Sequence, residues 1–328
     1  MPEDIFKCRI CESIQTKDWK FKEMMFGLRE EFSYKECLSC GCIQIEKYPE
    51  HLEVYYPHNY YSLNSENDSS DIPNKATINR IKKKLLLYNH LVFNNVLKKM
   101  GKHTFAPFEY NLGYLKSINL KPWSKILDIG CGKGDFLLEL YNIGFCNLTG
   151  IDKFIKDDFS LYNRIPIFKK STSELKKKFD LITMHHVLEH MPNQKEVLMS
   201  ISKKMKKNGN LIIRIPVINE AWKIYKQYWV QIDAPRHFYL HSLDSFHLLA
   251  NSCGFEVRKI TFDSYSFQFW GSEQYRLDIS LKCDKRSLAI NKDSNIFCSN
   301  LLDEWKMLSS NLNKSQKGDQ AIFYLKKK

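Results

Sequence analysis

The sequence predicts an α/β fold: a doubly wound, mostly parallel sheet of seven strands, preceded by a small cysteine-bearing module and a helical connector. Three observations carry this. From Trp123 onward, short apolar runs alternate with helical patterns. A glycine-rich turn, Gly130 to Gly134, joins the first of these runs to a helix, as happens where backbone must approach a ligand at the carboxyl end of a parallel strand. Two Cys-x-x-Cys pairs fall near the start of the chain.

Taken in order, residues 1–62 form the cysteine module with a tyrosine-rich tail, Tyr55-Tyr56-Pro57-His58-Asn59-Tyr60-Tyr61. Residues 63–120 form a linker and helical segment. Ser62 to Asn74 is dominated by Ser, Asn and Asp and reads as an exposed loop. Ile78, Ile81, Leu85, Leu86, Tyr88, Leu91 and Val92 then recur near helical spacing with lysines between them, and a second helix is expected from Phe108 to Ser117. Residues 121–328 hold the alternation. Strands are expected at Ile126 to Ile129, Leu148 to Ile151, Ile165 to Phe168, Leu181 to Met184, Leu211 to Ile215, Glu256 to Phe262 and Ala321 to Leu325. Helices are expected from Phe136 to a stop at Gly144, from Val197 to Met205, and from a Ser242 cap to Cys253, with Gly254 past its end. Lys207-Asn208-Gly209 reads as a turn into the fifth strand. An aromatic-rich insertion spans about 217–242.

The 328 residues are 43% apolar, ordinary for a soluble protein and enough for a large core. No apolar run approaches the ~18 residues of a membrane span. The start, Met1-Pro2-Glu3-Asp4, lacks the basic flank and apolar core of a signal peptide, so a cytoplasmic protein is expected. The formal charge is +13, concentrated in lysine runs at Lys82 to Lys84, Lys176 to Lys178, Lys203 to Lys207 and Lys326 to Lys328. Such runs are either a solvated surface or a field that attracts anionic ligands: nucleotide-sugars, phosphorylated glycans or nucleic acid. Ten cysteines are present, five of them within the first 42 residues, and in a reducing compartment that clustering favours metal binding over disulfides.

The turn Asp128-Ile129-Gly130-Cys131-Gly132-Lys133-Gly134-Asp135 departs from the dinucleotide pattern. Its third glycine comes one position early, and Asp135 stands where G-x-G-x-x-G requires glycine. Asp128 and Asp135 would both repel a pyrophosphate, so a nicotinamide oxidoreductase is disfavoured. A ligand with a cationic end and no phosphate fits better, and S-adenosylmethionine has an ammonium, a sulfonium and no phosphate. Asp152 lies about twenty residues on, at the end of the second strand, where a carboxylate can accept hydrogen bonds from ribose hydroxyls. Its plainer reading is a loop residue at the start of a helix.

At these residues the chain resembles the class I S-adenosylmethionine-dependent methyltransferases, which have a Rossmann-like sheet. The segment Phe179-Asp180-Leu181-Ile182-Thr183-Met184-His185-His186-Val187-Leu188-Glu189-His190 is similar to the H-V-L-E-H stretch of one subgroup. Lys206 to Pro216 is similar to the family's entry into strand five. The likeness covers about residues 120–328, with four motifs in order. It implies that Asp128, Gly130, Cys131, Gly132 and Gly134 line the methionine end, that Asp152 and Lys153 hold the ribose side, and that Met184, His185 and His186 lie beside the cofactor. Many relatives carry an acidic residue after strand three that binds adenine. Here that segment reads Lys169-Lys170-Ser171-Thr172-Ser173, so a hydroxyl or a carbonyl must substitute.

His186 and His190, four residues apart, would share a face if helical, with Glu189 pointing elsewhere. Packing and orientation of the pocket is the expected role, since a metal would want further ligands. Gln231-Ile232-Asp233-Ala234-Pro235-Arg236-His237-Phe238-Tyr239 lies in the insertion after strand five, where substrate is expected, and looks like the D-A-P-R-H segment of the same subgroup. His237 can accept a proton from a substrate hydroxyl or from a carbon next to a carbonyl. Arg236 can pair with a phosphate or carboxylate, and Tyr239 is expected at the substrate. Alternatively Asp233, Arg236 and His237 form a polar network that only shapes the insertion.

Cys8-Arg9-Ile10-Cys11 and Cys37-Leu38-Ser39-Cys40 are two knuckles whose four thiolates can converge on a structural zinc ion, leaving Cys42 spare. With four protein ligands the metal has no open position, so its role is folding. With its tyrosine tail the module resembles the N-terminal zinc-binding segment of sugar methyltransferases, some of which methylate a deoxysugar nucleotide at carbon. The resemblance implies a sugar, nucleotide-sugar or glycan-precursor substrate, in surface polysaccharide or natural-product sugar biosynthesis. Two other functions stay open: an RNA methyltransferase that grips RNA through the zinc module and basic surface, and a non-catalytic zinc-bearing binding protein.

Overall fold

The computed structural model describes residues 5–56 and 113–328, and the expected helices between residues 77 and 112 lie outside them. The central sheet is built where the alternating pattern begins. Its strands in chain order are β4 (Lys125–Ile129), β5 (Asn147–Ile151), β6 (Phe159–Leu161), β7 (Ile165–Phe168), β8 (Phe179–His185), β9 (Met205–Pro216), β11 (Phe255–Phe262) and β12 (Gln320–Lys327). They lie in the order β11-β12-β9-β8-β4-β5-β7-β6. β4 pairs in parallel with β5 on one side and β8 on the other, so the chain reverses its direction of winding across β4. The carboxyl end of β4 is therefore the switch point of the sheet, where open α/β folds bind ligands.

All seven expected strands are present, in a doubly wound, mostly parallel, Rossmann-like sheet. Two boundaries differ. An eighth strand, β6, forms a short antiparallel ribbon with β7 at the edge, with Ser160 opposite Pro166. Proline is tolerated at such an edge position. β9 begins at Met205 and takes in Lys207 to Gly209, read as a turn, because Met205 pairs with Phe179 ahead of a register shift. Gly209 is confined at that irregularity: a Cβ would lie 3.1 Å from the carbonyl oxygens of Lys206 and Phe179.

The helices are α1 (Asp135–Asn142), α2 (Gln194–Lys204), α3 (Glu220–Tyr225), α4 (Leu243–Ser252), α5 (Phe267–Arg276) and α6 (Ser299–Lys314). Ser242 caps α4 as expected, its hydroxyl accepting from Ser245 N at 2.9 Å. The tail of the expected connector, Gly113–Ser117, is a short 3-10 turn. Phe246 of α4 stacks on Phe323 of β12 at 3.8 Å between ring centroids, and both are fully buried. Each such side chain contributes on the order of 2–3 kcal/mol by leaving water.

The N-terminal module is a second sheet, β1 (Thr16–Lys22), β2 (Glu31–Cys37) and β3 (Ile43–Ile45), joined by β10 (Tyr239–Leu240) from the insertion. β10 pairs antiparallel with β3, Tyr239 opposite Gln44 and Leu240 opposite Ile43. Residues of both sheets share one buried core, which runs from Phe21, Tyr34 and Ile43 to Trp229, Phe238 and Phe323. The module is thus welded to the segment that carries Arg236 and His237. Among the described residues, no helix is long and apolar enough to cross a membrane.

Candidate active site

The glycine turn leaves β4 with three residues at positive φ, Gly130 (69°), Gly132 (51°) and Gly134 (85°), which L-residues adopt only with strain. Gly130 is also crowded: a Cβ would meet Val187 Cγ2 at 2.4 Å. That contact brings the segment after β8 against the turn. Gly134, in the left-handed region, is the N-cap of α1.

Asp128 is 3% exposed and accepts from Thr183 Oγ1 at 2.7 Å. Burial pushes its carboxyl up to about 7. Asp152 Oδ2 accepts from Gly132 N at 2.9 Å, and its Oδ1 accepts from Phe154 N at 2.8 Å. One carboxylate thereby ties the end of β5 to the glycine turn, and each oxygen keeps a lone pair for a further donor. Lys153 beside it is exposed.

Other expected cofactor residues are placed differently. Cys131 meets the turn through its main chain, while its sulfur lies over Gly150, where a Cβ would be 2.5 Å from it. Met184 is fully buried, like Leu181 to Thr183 before it, because β8 is a central strand covered on both faces. His185 packs its ring on Phe136 at 4.6 Å and lies 3.1 Å from the Tyr114 hydroxyl through Nε2. Burial holds it down at about 3, so it is neutral.

His186 and His190 do not share a helical face. His186 has φ 54°, and only Leu188–His190 forms a 3-10 turn. Glu189, expected to point elsewhere, is the buried centre of the segment, 1% exposed. Arg214 Nη1 donates to His186 Nε2 at 3.0 Å, which leaves the proton on Nδ1, 3.3 Å from Glu189 Oε1. Burial raises the Glu189 carboxyl, but His186 and the fields of His190 and His237 outweigh this and hold it at about 2. His190 donates from Nδ1 to Arg236 O at 2.9 Å, and His237 from Nδ1 to Gln231 O at 2.7 Å. Their rings meet edge to face at 4.7 Å. Tyr56, from the module, places its hydroxyl 3.2 Å from His190 Nδ1 and stacks on Phe154 at 6.2 Å. The module thus reaches both the loop after β5 and the histidines. The rest of the tyrosine tail, 57–61, lies outside the described residues.

Arg236, expected to grip a substrate anion, is fully buried and committed to the protein. Its Nη2 donates to Asp233 Oδ1 at 2.7 Å and to Glu23 Oε1 at 2.9 Å, and Nη1 donates to Tyr55 O at 3.1 Å. Glu23 gave no sequence signal, being an isolated acid in a polar strand end. Tyr239 is 3% exposed; its hydroxyl donates to Pro192 O at 2.9 Å, and with Arg9 and Tyr48 it lines a cleft away from the glycine turn. Of the three residues expected at the substrate, His237 brings its side chain to the histidine cluster, while Arg236 meets it through its backbone carbonyl.

In the module, Cys8 Sγ lies 3.6 Å from Cys40 Sγ and Cys11 Sγ lies 3.4 Å from Cys37 Sγ. All four sulfurs are within 4.8 Å of one another. Tetrahedral zinc with bonds of about 2.3 Å separates its sulfurs by about 3.8 Å, so the cluster fits that ion. Gln44 Nε2 donates to Cys8 Sγ at 2.9 Å, the outer-shell contact a thiolate ligand wants.

Residues 98–260 match the family model described as a methyltransferase domain. The chain carries a class I S-adenosylmethionine-dependent methyltransferase domain. It is 33% identical over 101 residues to a mitochondrial ubiquinone biosynthesis O-methyltransferase of Schizosaccharomyces pombe, covering 27% of this chain and 36% of that one. It is 34% identical over 116 residues to the ubiquinone biosynthesis O-methyltransferase of Glaesserella parasuis, covering 31% and 48%. An (S)-coclaurine N-methyltransferase of Papaver somniferum is 28% identical over 111 residues, 30% of this chain and 32% of that one. The chain thus spans less than half the length of these curated relatives.

Proposed function

We propose that the whole protein transfers the sulfonium methyl of S-adenosylmethionine to a small acceptor, a sugar carried on a nucleotide. The observation that carries the cofactor side is the Asp152 carboxylate bound to both the glycine turn and its own loop, which presets a ribose site. Asp128 faces the ammonium end in this reading. The methyl is already activated, so the protein's work is to align donor and acceptor and to stabilise the acceptor as it loses its proton.

The acceptor side is the cluster of His237, His190 and Glu189, which lies next to the turn because Val187 packs on Gly130. The sugar reading draws support from the aromatic module, whose Tyr56 spans Phe154 and His190. The net charge of +13 suits an anionic carrier. Zinc in the four-cysteine cluster fixes that module. Calorimetry with S-adenosylmethionine tests the cofactor side: Asp152→Ala is expected to weaken binding at least tenfold, and unchanged affinity would refute the ribose assignment. Methyl transfer to RNA in place of nucleotide-sugars would overturn the acceptor.

A further inference from the structure

Glu189, His190 and His237 offer one carboxylate oxygen and one ring nitrogen each, all within 4.8 Å of one another. Among the described residues Glu189 Oε2 has no donor, and Oε1 has only His186 Nδ1 at 3.3 Å, outside good hydrogen-bond geometry, although the side chain is 1% exposed. A buried carboxylate left this way lacks something that would solvate its charge. Both histidines are already oriented. Each donates from Nδ1 to a backbone carbonyl, Arg236 O and Gln231 O, which leaves the lone pair on Nε2. That is the tautomer and outer-shell arrangement of imidazoles that bind metal ions.

The charge around the cluster is unbalanced. Glu189, Asp233 and Glu23 are buried carboxylates, and Arg236 is the buried guanidinium among them. Three carboxylates face one guanidinium there, an excess of negative side chains that suits a cation. Asp233 Oδ2 lies 3.7 Å from His237 Nε2 and adds to the negative field. Ligands at bonds of about 2.1 Å in a tetrahedral shell are about 3.4 Å apart, so side-chain adjustments of about an ångström would close the cluster.

We propose that Glu189, His190 and His237 bind a divalent transition-metal ion, zinc in the first instance, at a site separate from the four cysteines. Two imidazoles and one carboxylate suit such an ion and not magnesium or calcium, which take oxygen ligands. Three protein ligands leave a coordination position for an oxygen of the acceptor, whose deprotonated form the ion stabilises. The binding stands on the cluster itself; its role on the acceptor rests on the methyltransferase reading.

The test is metal stoichiometry on the full chain. Wild-type protein incubated with zinc and desalted is expected to hold two equivalents by elemental mass spectrometry. Glu189→Gln and His237→Ala, each checked for fold by circular dichroism, are expected to hold one. Cobalt titration of wild-type protein gives an independent readout, with a second set of visible bands from nitrogen and oxygen ligands beside the thiolate charge-transfer bands. A single equivalent in wild type, two equivalents that survive both substitutions, or a purely thiolate cobalt spectrum would overturn the site. Each of those leaves S-adenosylmethionine binding untouched, whereas failure to bind S-adenosylmethionine would sink the methyltransferase reading without altering the metal count.

Discussion

Asp128 carries its charge reluctantly. Burial lifts its carboxyl to about 7, so below that pH the free protein holds it protonated and neutral. A neutral Asp128 offers an ammonium no counter-charge. Affinity for S-adenosylmethionine is therefore expected to fall as pH drops from 8 to 6, by up to about tenfold per unit below the folded value. Calorimetry across that range checks it, and Asp128→Asn should flatten the dependence. Gly130 sets a steric limit beside it: Gly130→Ala combines a φ of 69° with a Val187 contact at 2.4 Å. A loss of about 1–3 kcal/mol in denaturant unfolding is expected, together with loss of cofactor binding. His237→Ala is expected to lower turnover by about a hundredfold or more while cofactor affinity stays within twofold. Wild-type turnover in that variant would remove His237 from the mechanism.

At the scale of elements, the strand pair β3–β10 makes the cysteine module part of the site. Tyr34 on β2 donates to His237 O at 3.0 Å, and Ser242 donates to Cys40 O. Stripping the metal from the cysteines, or Cys37→Ser, is expected to lower both the melting temperature and turnover, because the strand that follows His237 loses its partner. Full activity in metal-free protein would contradict this coupling. Arg236 closes the same junction from the other side. Arg236→Met leaves Glu23 and Asp233 buried without their cation, and a loss of about 3–5 kcal/mol is expected by thermal or denaturant unfolding.

The elements themselves were legible in the sequence because each carries its own pattern: β4 to β9 as apolar runs, α4 by Ser242, the turn by its glycines. What escaped was long-range. The Arg236–Glu23 pair joins residues 213 positions apart, and β10 is two residues long. No local periodicity encodes either. Glu189 was misjudged for a local reason: a helix was assumed through His186, and the left-handed residue there turns the side chain inward.

Over the whole molecule, the glycine turn after β4, the segment after β8 and the welded module meet through Val187 on Gly130 and Tyr56 on His190. S-adenosylmethionine would enter against the glycine turn, and the acceptor against the histidines that the module braces. The net charge of +13 favours anionic acceptors at low salt, and raising ionic strength is expected to increase KM for the acceptor more than it lowers kcat. The measurement that bears most directly on this account is transfer of a labelled methyl group from S-adenosylmethionine, run in parallel against nucleotide-sugars and RNA. Label in a nucleotide-sugar with wild-type protein, lost with Asp152→Ala and His237→Ala, is the result expected. Label in RNA alone, or cofactor binding with no transfer to any acceptor, would contradict it.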